Sequence, residues 1–325
     1  MKKWALGIAV ALAGATLIAL AVIPGLFSVA PKFSDLTTNF KPEMTASTVA
    51  ELRADLSSLT AAQNQFTTQA VPALATELGM TPAQLSATIQ AQFPATATGM
   101  AAVPALTAKF NQVLTIMDNQ LGNFRQADSI PTASISPTVI PWVLLVLGLV
   151  LIAGGAFLRR WWRVGLAIVV GALMIVTPLA LSLPGKASAA DTMNVQMKPV
   201  FTAQTVASAK ASLATMDAMG VELQAKLIPA LSEMLKLQPA QLEAMLAANS
   251  PALAGALTTL PASMTQFSAL VTAFAESLTD YNDINTTQFV PIIDTILATG
   301  GFLVLVGLLS AADLTRRRQT SGAIA

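Results

Sequence analysis

The sequence predicts an all-α integral membrane protein with four transmembrane helices in two tandem parallel repeats. Three observations support this fold class. Of 325 residues, 54% are hydrophobic and 11% are charged, against about a quarter charged in an ordinary soluble domain. Four apolar stretches are long enough to span a bilayer, and the prolines of the first half recur 157 residues later. We expect each repeat to carry an extracytoplasmic helical hairpin, the two hairpins forming a four-helix stalk with proline-bent tips.

The four apolar stretches set the predicted boundaries, because a helix needs roughly 20 apolar residues to cross the hydrocarbon core. The first stretch follows Lys2 and Lys3 as a signal peptide would, but it is longer than the apolar run of a signal peptide, so we interpret it as an uncleaved anchor. The predicted order is TM1 at 1–27, extracytoplasmic domain 1 at 28–138, TM2 at 139–158, a cytoplasmic turn at 159–163, TM3 at 164–183, extracytoplasmic domain 2 at 184–288, TM4 at 289–310 and a cytoplasmic tail at 311–325.

The charges near the span ends predict the orientation, since Lys and Arg are enriched on the cytoplasmic side. The basic residues cluster at both termini and in the 159–163 turn, with Asp313 as their one acidic neighbour. They are Lys2, Lys3, Arg159, Arg160, Arg163, Arg316, Arg317 and Arg318. Both long segments carry more acids than bases. We expect both termini in the cytoplasm, both long segments outside, and a location in a cell membrane, with a composition typical of bacteria.

A tandem duplication is indicated by prolines that share one offset. Pro42, Pro72, Pro82, Pro94 and Pro104 correspond to Pro199, Pro229, Pro239, Pro251 and Pro261 at an offset of 157. The pair Arg159-Arg160 fits Arg316-Arg317 at the same offset. Because each half contains two spans, both halves enter the membrane in the same direction. This predicts parallel repeats related by a pseudo-two-fold axis along the membrane normal.

Within each extracytoplasmic domain the apolar residues step by three and four, which is typical of coiled-coil-like helices. Thr45 and Thr202 are predicted N-caps of the outgoing helices. The clustered prolines at 72–104 and 229–261 predict that the chain turns there, with a short helix in each tip that begins at Pro82 or Pro239. One hairpin cannot bury apolar faces on both its helices, so two hairpins are expected to pair as a four-helix bundle.

Cys and His are both absent from the sequence. Their absence excludes disulfides, thiolate and imidazole metal ligands, Cys or Ser–His nucleophilic catalysis and a histidine pH switch. The net charge of +1 leaves no basic footprint for nucleic acid. We therefore predict no catalytic residue, no cofactor, no metal and no nucleic-acid partner.

Two sets of candidate functional residues remain. The tips carry apolar residues at helical spacing, which would bind a partner or lipid or, in the simpler interpretation, pack on the stalk; they are Leu85, Ile89, Phe93, Leu242, Met245 and Leu246. Asp294 is the ionisable residue within a span, and intramembrane acids often serve proton or ion paths. Its shallow position favours a structural or interfacial role. The small residues of the spans are expected to serve helix packing.

Three function classes fit these observations. The leading hypothesis is a non-enzymatic membrane scaffold or accessory subunit whose extracytoplasmic domain binds an envelope partner or associates with itself. The alternative is the binding or transfer of lipid or other apolar molecules in a groove between the repeats. A third class is a sensor input subunit that needs a separate output partner, because the cytoplasmic segments are short. Membrane lipids are an expected partner in every case.

Overall fold

The computed structural model describes residues 4–322, with side chains as far as Arg316. These residues are almost entirely helical, and the β-type pairing found among them is an isolated bridge between Thr132 and Ile135. The all-α class is confirmed. In chain order the helices are α1 (Ala5–Val22), α2 (Leu26–Phe40), α3 (Ala46–Gln65), α4 (Val71–Glu77), α5 (Pro82–Gln92), α6 (Pro94–Asp128), α7 (Val139–Phe157), α8 (Arg160–Ala180), α9 (Leu183–Met197), α10 (Ala203–Glu222), α11 (Ile228–Met234), α12 (Pro239–Asn249), α13 (Pro251–Ile284) and α14 (Phe289–Gly322). π-helical turns at Phe66–Ala70 and Leu223–Leu227 join α3 to α4 and α10 to α11.

Four of these helices are long and apolar enough to cross a membrane. They are Ala5–Val22, Val139–Phe157, Arg160–Ala180 and Phe289–Arg316. The prediction of four helices with the length and composition of a membrane span is confirmed. Of the basic residues used to predict the orientation, Lys2, Lys3 and the side chains of Arg317 and Arg318 lie outside the described part of the chain.

The chain divides into two compact units. The first, here the span unit, comprises Met1–Asn39, Gly122–Gln196 and Thr279–Ala325. The second, here the interspan unit, comprises Phe40–Leu121 and Met197–Leu278. The candidate spans all belong to the span unit, whereas the proline-rich segments belong to the interspan unit.

Glycines set the packing of the span helices into two pairs, α1 with α7 and α8 with α14. A Cβ atom at Gly14 would lie 2.5 Å from the carbonyl oxygen of Gly148, and one at Gly171 would lie 2.8 Å from the carbonyl oxygen of Gly300. No larger residue fits at these contacts without a shift of the helices. These glycine contacts agree with the predicted role of small residues in helix packing, because small residues let membrane helices approach closely.

The first and third spans end earlier than predicted. Gly25 has a φ of +67° and Ser182 a φ of 54°, and both lie within three residues of the end of a candidate span helix. This left-handed conformation stops an α-helix, so α1 ends at Val22 and α8 at Ala180. New helices, α2 and α9, start immediately afterwards. Sequence reasoning missed both, although α2 buries a helically spaced set: Leu26, Val29, Ala30, Phe33, Leu36, Thr37 and Phe40.

The interspan unit confirms the predicted N-caps. The hydroxyl oxygen of Thr45 accepts a hydrogen bond from the backbone N–H of Thr48 at 3.1 Å, and Thr202 accepts from Thr205 at 3.0 Å. Aromatic rings fill the core: Phe40, Phe201 and Phe274 have ring centroids 4.8–5.2 Å apart. Phe110 and Phe267, a pair 157 positions apart, meet edge to face at 4.9 Å.

The prolines act differently from the prediction at several positions. Pro82 and Pro239 begin short helices as predicted. Pro104 and Pro261, in contrast, lie inside the long helices α6 and α13, which continue through them. Near Pro72 and Pro229 the chain forms a π-helical turn rather than a break. The wider turn accommodates a ring that would clash with the carbonyl four residues earlier in a regular helix. The chain therefore turns at the shorter segments 78–81 and 235–238 and at residues 93 and 250.

Between the candidate spans, most helix bounds recur at one offset. The helices α2, α3, α4 and α5 and the first π-helical turn have counterparts displaced by 157 at each end. The glycines that contact α1 and α8 break this rule: Gly148 and Gly155 correspond in their contacts to Gly300 and Gly307, an offset of 152. The predicted match of Arg159-Arg160 with Arg316-Arg317 is therefore out of register with the packing of these helices.

Candidate functional site

Five of the six predicted tip residues are buried. Leu85, Ile89, Phe93, Leu242 and Leu246 expose no more than 8% of their surface, and Met245 is half-buried. Their helical spacing places them on the inner faces of α5 and α12, which pack against α4 and α11 respectively. Their burial agrees with the simpler of the two interpretations, in which these residues pack as core. Burying these side chains stabilises the short helices, which would not persist alone.

Two side chains fasten the beginnings of the long helices. Gln65 Oε1 accepts hydrogen bonds from the backbone N–H groups of Ala252 at 2.8 Å and Leu253 at 3.3 Å, in the first turn of α13. The carboxylate of Glu222, which is 6% exposed, accepts from the N–H of Thr96 at 2.7 Å in the first turn of α6. Positions 65 and 222 are 157 apart, so the two caps are reciprocal. Each supplies an acceptor that a free helix N-terminus lacks.

The outer faces of the tip helices are smooth and almost uncharged. Exposed alanines recur every four residues on both helices, at Ala83, Ala87 and Ala91 of α5 and at Ala240, Ala244 and Ala248 of α12. The one charged residue in these two helices is Glu243. Exposed protein surface is usually about a quarter to a third charged. These faces therefore differ from a typical solvated surface.

Asp294 lies on an exposed face of α14. It precedes Gly300 by six residues, as Trp142 precedes Gly148, and these glycines make corresponding contacts. Trp142 is therefore its counterpart, rather than Pro137 as the uniform offset predicted. Trp142 is 60% exposed and packs its ring edgewise on Phe27 at 5.2 Å. A tryptophan is a common residue at a membrane interface, which supports the interfacial interpretation of Asp294.

A wholly apolar cavity of about 70 Å³ lies in the span unit. It is lined by the beginnings of α2, α7, α9 and α14 and by Ile130 of the 129–138 connection. Much of the lining consists of pairs related by the two offsets: Leu26 with Leu183, Ala30 with Ala187, Pro137 with Phe289, Ile140 with Ile292, and Pro141 with Ile293. Both halves of the chain therefore contribute to the cavity. A single offset of 157 does not relate all of these lining residues, because those of α7 and α14 correspond at an offset of 152.

Two charged side chains of α9, near this cavity, are bound to backbone groups. The ammonium group of Lys186 donates hydrogen bonds to the carbonyl oxygens of Ser129 and Pro131, each at 2.9 Å. The Asp191 carboxylate accepts from the backbone N–H groups of Phe289 at 2.8 Å and Val290 at 3.0 Å, capping α14. These contacts tie α9 to the connection on one side and to α14 on the other.

Two further contacts of the span unit involve Lys32 of α2 and Tyr281 near the end of α13. Lys32 forms an ion pair with Asp283, and this hydrogen bond raises the pKa of the Lys32 ammonium. The hydroxyl of Tyr281 donates to the carbonyl oxygen of Asn194 at 2.5 Å, and burial raises the pKa of Tyr281 to about 12. Tyr281 is therefore a hydrogen-bond donor throughout the physiological pH range.

Among the described residues, no group of three or more His, Cys, Asp or Glu side chains is placed to hold a metal ion. The chain matches no protein-family model, no curated protein and no solved structure.

Proposed function

We propose that the chain is a non-enzymatic membrane scaffold whose two halves arose by tandem duplication. Both termini lie in the cytoplasm in this proposal, and the interspan unit lies outside. There it binds another envelope protein or a second copy of the chain. The binding surface consists of the outer faces of α5 and α12 and replaces the buried residues predicted from the sequence.

The duplication is supported by helix bounds, caps and packing together. The bounds of α2 to α5 recur at an offset of 157, and the connection between α13 and α14, residues 285–288, is shorter than the 129–138 connection between α6 and α7. This difference accounts for the change of register in the last span. Contact between Phe110 and Phe267, which occupy equivalent positions, is expected on a two-fold axis. The reciprocal caps from Gln65 and Glu222 fit the same symmetry.

The observation that carries the binding proposal is the character of the tip faces. The tip helices are held by their buried leucines, so their outer alanines are presented on a fixed surface. Small side chains allow another helix to approach closely, and the near-absence of charge lowers the cost of removing water. Positions on rigid helices also cost little conformational entropy when a partner binds.

The test places charges on these faces without touching the core. The double variant Ala87→Glu/Ala244→Glu should keep normal expression and membrane insertion. The yield of its cross-linked complex with a partner, or of its dimer, should fall by about tenfold or more. The matched control is Ala54→Glu/Ala211→Glu, which changes exposed alanines of α3 and α10. Cross-linking in intact cells with mass spectrometry detects a partner, and native mass spectrometry detects self-association. If both double variants associate as strongly as the unmodified protein does, the proposal is refuted.

A further inference from the structure

We infer that the cavity of the span unit is a binding site for an acyl chain of a membrane phospholipid. The inference goes beyond the scaffold proposal and rests on the same insertion in a membrane. The first evidence is the lining itself. Every lining side chain is apolar, and Lys186, which adjoins the lining residue Ala187, donates its hydrogen bonds to backbone carbonyl oxygens. The site is therefore suited to a hydrocarbon segment without a charge.

Small residues create the space. Ala30 and Ala187 face the cavity from α2 and α9, at positions 157 apart, and both are buried. Bulkier pairs surround them, Leu26 with Leu183 and Ile140 with Ile292. A volume of about 70 Å³ is roughly half that of an apolar cavity known to hold benzene. It therefore takes a segment of one chain and not a whole lipid.

The surroundings identify the occupant. The lining residues Ile140, Pro141, Phe289, Ile292, Ile293 and Ile296 lie in the helices that are apolar enough to span a membrane. In a bilayer the abundant apolar molecule at such residues is the phospholipid acyl chain. Trp142, next to the lining residue Pro141, is of the type found at the membrane interface. The pocket thus lies where the acyl chain of a phospholipid is within reach while its headgroup stays at the surface.

The first experiment fills the cavity. The variant Ala30→Leu/Ala187→Leu adds side-chain volume inside it, and the control Ala153→Leu/Ala298→Leu adds the same volume on exposed faces of α7 and α14. Each protein is reconstituted in phosphatidylcholine vesicles, extracted in a detergent that strips loosely bound lipid, and analysed by native mass spectrometry. We expect the unmodified and control proteins to retain phosphatidylcholine and the filled variant to lose about tenfold in retention. Equal retention by all three, or none by the unmodified protein, overturns the inference.

The second experiment keeps the protein unmodified, so it stands even if the filled variant does not fold. Vesicles contain a phosphatidylcholine with a photoreactive diazirine in one acyl chain, and adducts are mapped to residues. Adducts on the buried lining residues Ile130 and Ile293 support the inference. Adducts confined to exposed positions such as Val143 and Leu149 overturn it. A competing free fatty acid that abolishes the buried adducts while excess phosphatidylcholine does not would identify the fatty acid as the ligand and also overturn it. None of these readouts depends on the tip helices.

Discussion

In the interspan unit, burial of Glu43 makes the ionised form of its side chain unfavourable. Glu43 lies half-buried between α2 and α3, and burial raises the pKa of its carboxyl group from the ordinary value of 4.5. A raised pKa means that the folded state binds the proton more tightly than the unfolded state. Ionisation of Glu43 therefore opposes folding, and its contribution to stability is lost as the pH rises through the raised value.

We expect Glu43→Gln to be more stable than the unmodified protein at pH 7 and to differ less from it below pH 4.5. The amide keeps the shape of the protonated carboxyl group and removes the charge. The measurement is the thermal unfolding midpoint in detergent from pH 4 to pH 7. Glu51→Gln, at an exposed position on α3, is the control. A midpoint difference that does not change with pH would contradict the assignment.

At the scale of elements, the long helices α6 and α13 depend on caps supplied by other helices. Phe93, which precedes α6, has no side-chain acceptor, and Thr96 is fully buried. The backbone N–H group of Thr96 therefore relies on the Glu222 carboxylate. The carboxylate also interacts favourably with the positive end of the helix dipole. In the other half an amide oxygen, that of Gln65, performs the same task.

Glu222→Ala is expected to destabilise the protein by about 1–3 kcal/mol, because the buried N–H of Thr96 loses its acceptor. Glu222→Gln should recover most of this loss, since Gln65 shows that an amide oxygen suffices at the equivalent position. Unfolding midpoints of the two variants in one detergent measure the difference. Glu233→Ala, at an exposed position on α11, should have little effect. Equal destabilisation by Glu222→Gln and Glu222→Ala would show that charge, rather than hydrogen bonding, is what matters there.

At the scale of the whole molecule, the proposed function depends on which side of the membrane holds the interspan segments. The proposal places residue 57 outside and residue 320 in the cytoplasm. Because the natural sequence has no cysteine, single cysteines report on one position each. Ser57 is exposed on α3, which makes it a suitable labelling site.

Ser57→Cys should react with a membrane-impermeant thiol reagent on intact cells, whereas Thr320→Cys should react only after permeabilisation. The physical reason is the excess of Lys and Arg near the predicted cytoplasmic ends of the spans. Labelling intensity on blots measures both, and the unmodified cysteine-free chain provides the blank. The reverse labelling pattern would invert the orientation and place the tip faces in the cytoplasm.

Local patterns were sufficient for much of the fold. The four candidate span helices, the N-caps Thr45 and Thr202 and the helix starts at Pro82 and Pro239 follow from residues close together in the sequence. Such features depend on apolar run length, side-chain oxygens near free N–H groups and a fixed proline φ. The helices α2 and α9 were missed because long apolar runs concealed the left-handed residues Gly25 and Ser182 that separate them from the spans.

The sequence by itself determined that this protein is helical, that four of its helices are apolar enough for a membrane, and that prolines recur at one offset. Tertiary structure alone decided that the apolar tip residues are core, that Gln65 and Glu222 cap distant helices, and that the register changes before Gly300. It also decided where the apolar cavity lies. The physical reason is that hydropathy and periodicity show which face of a helix is apolar, whereas the partner of that face depends on contacts between residues far apart in the chain.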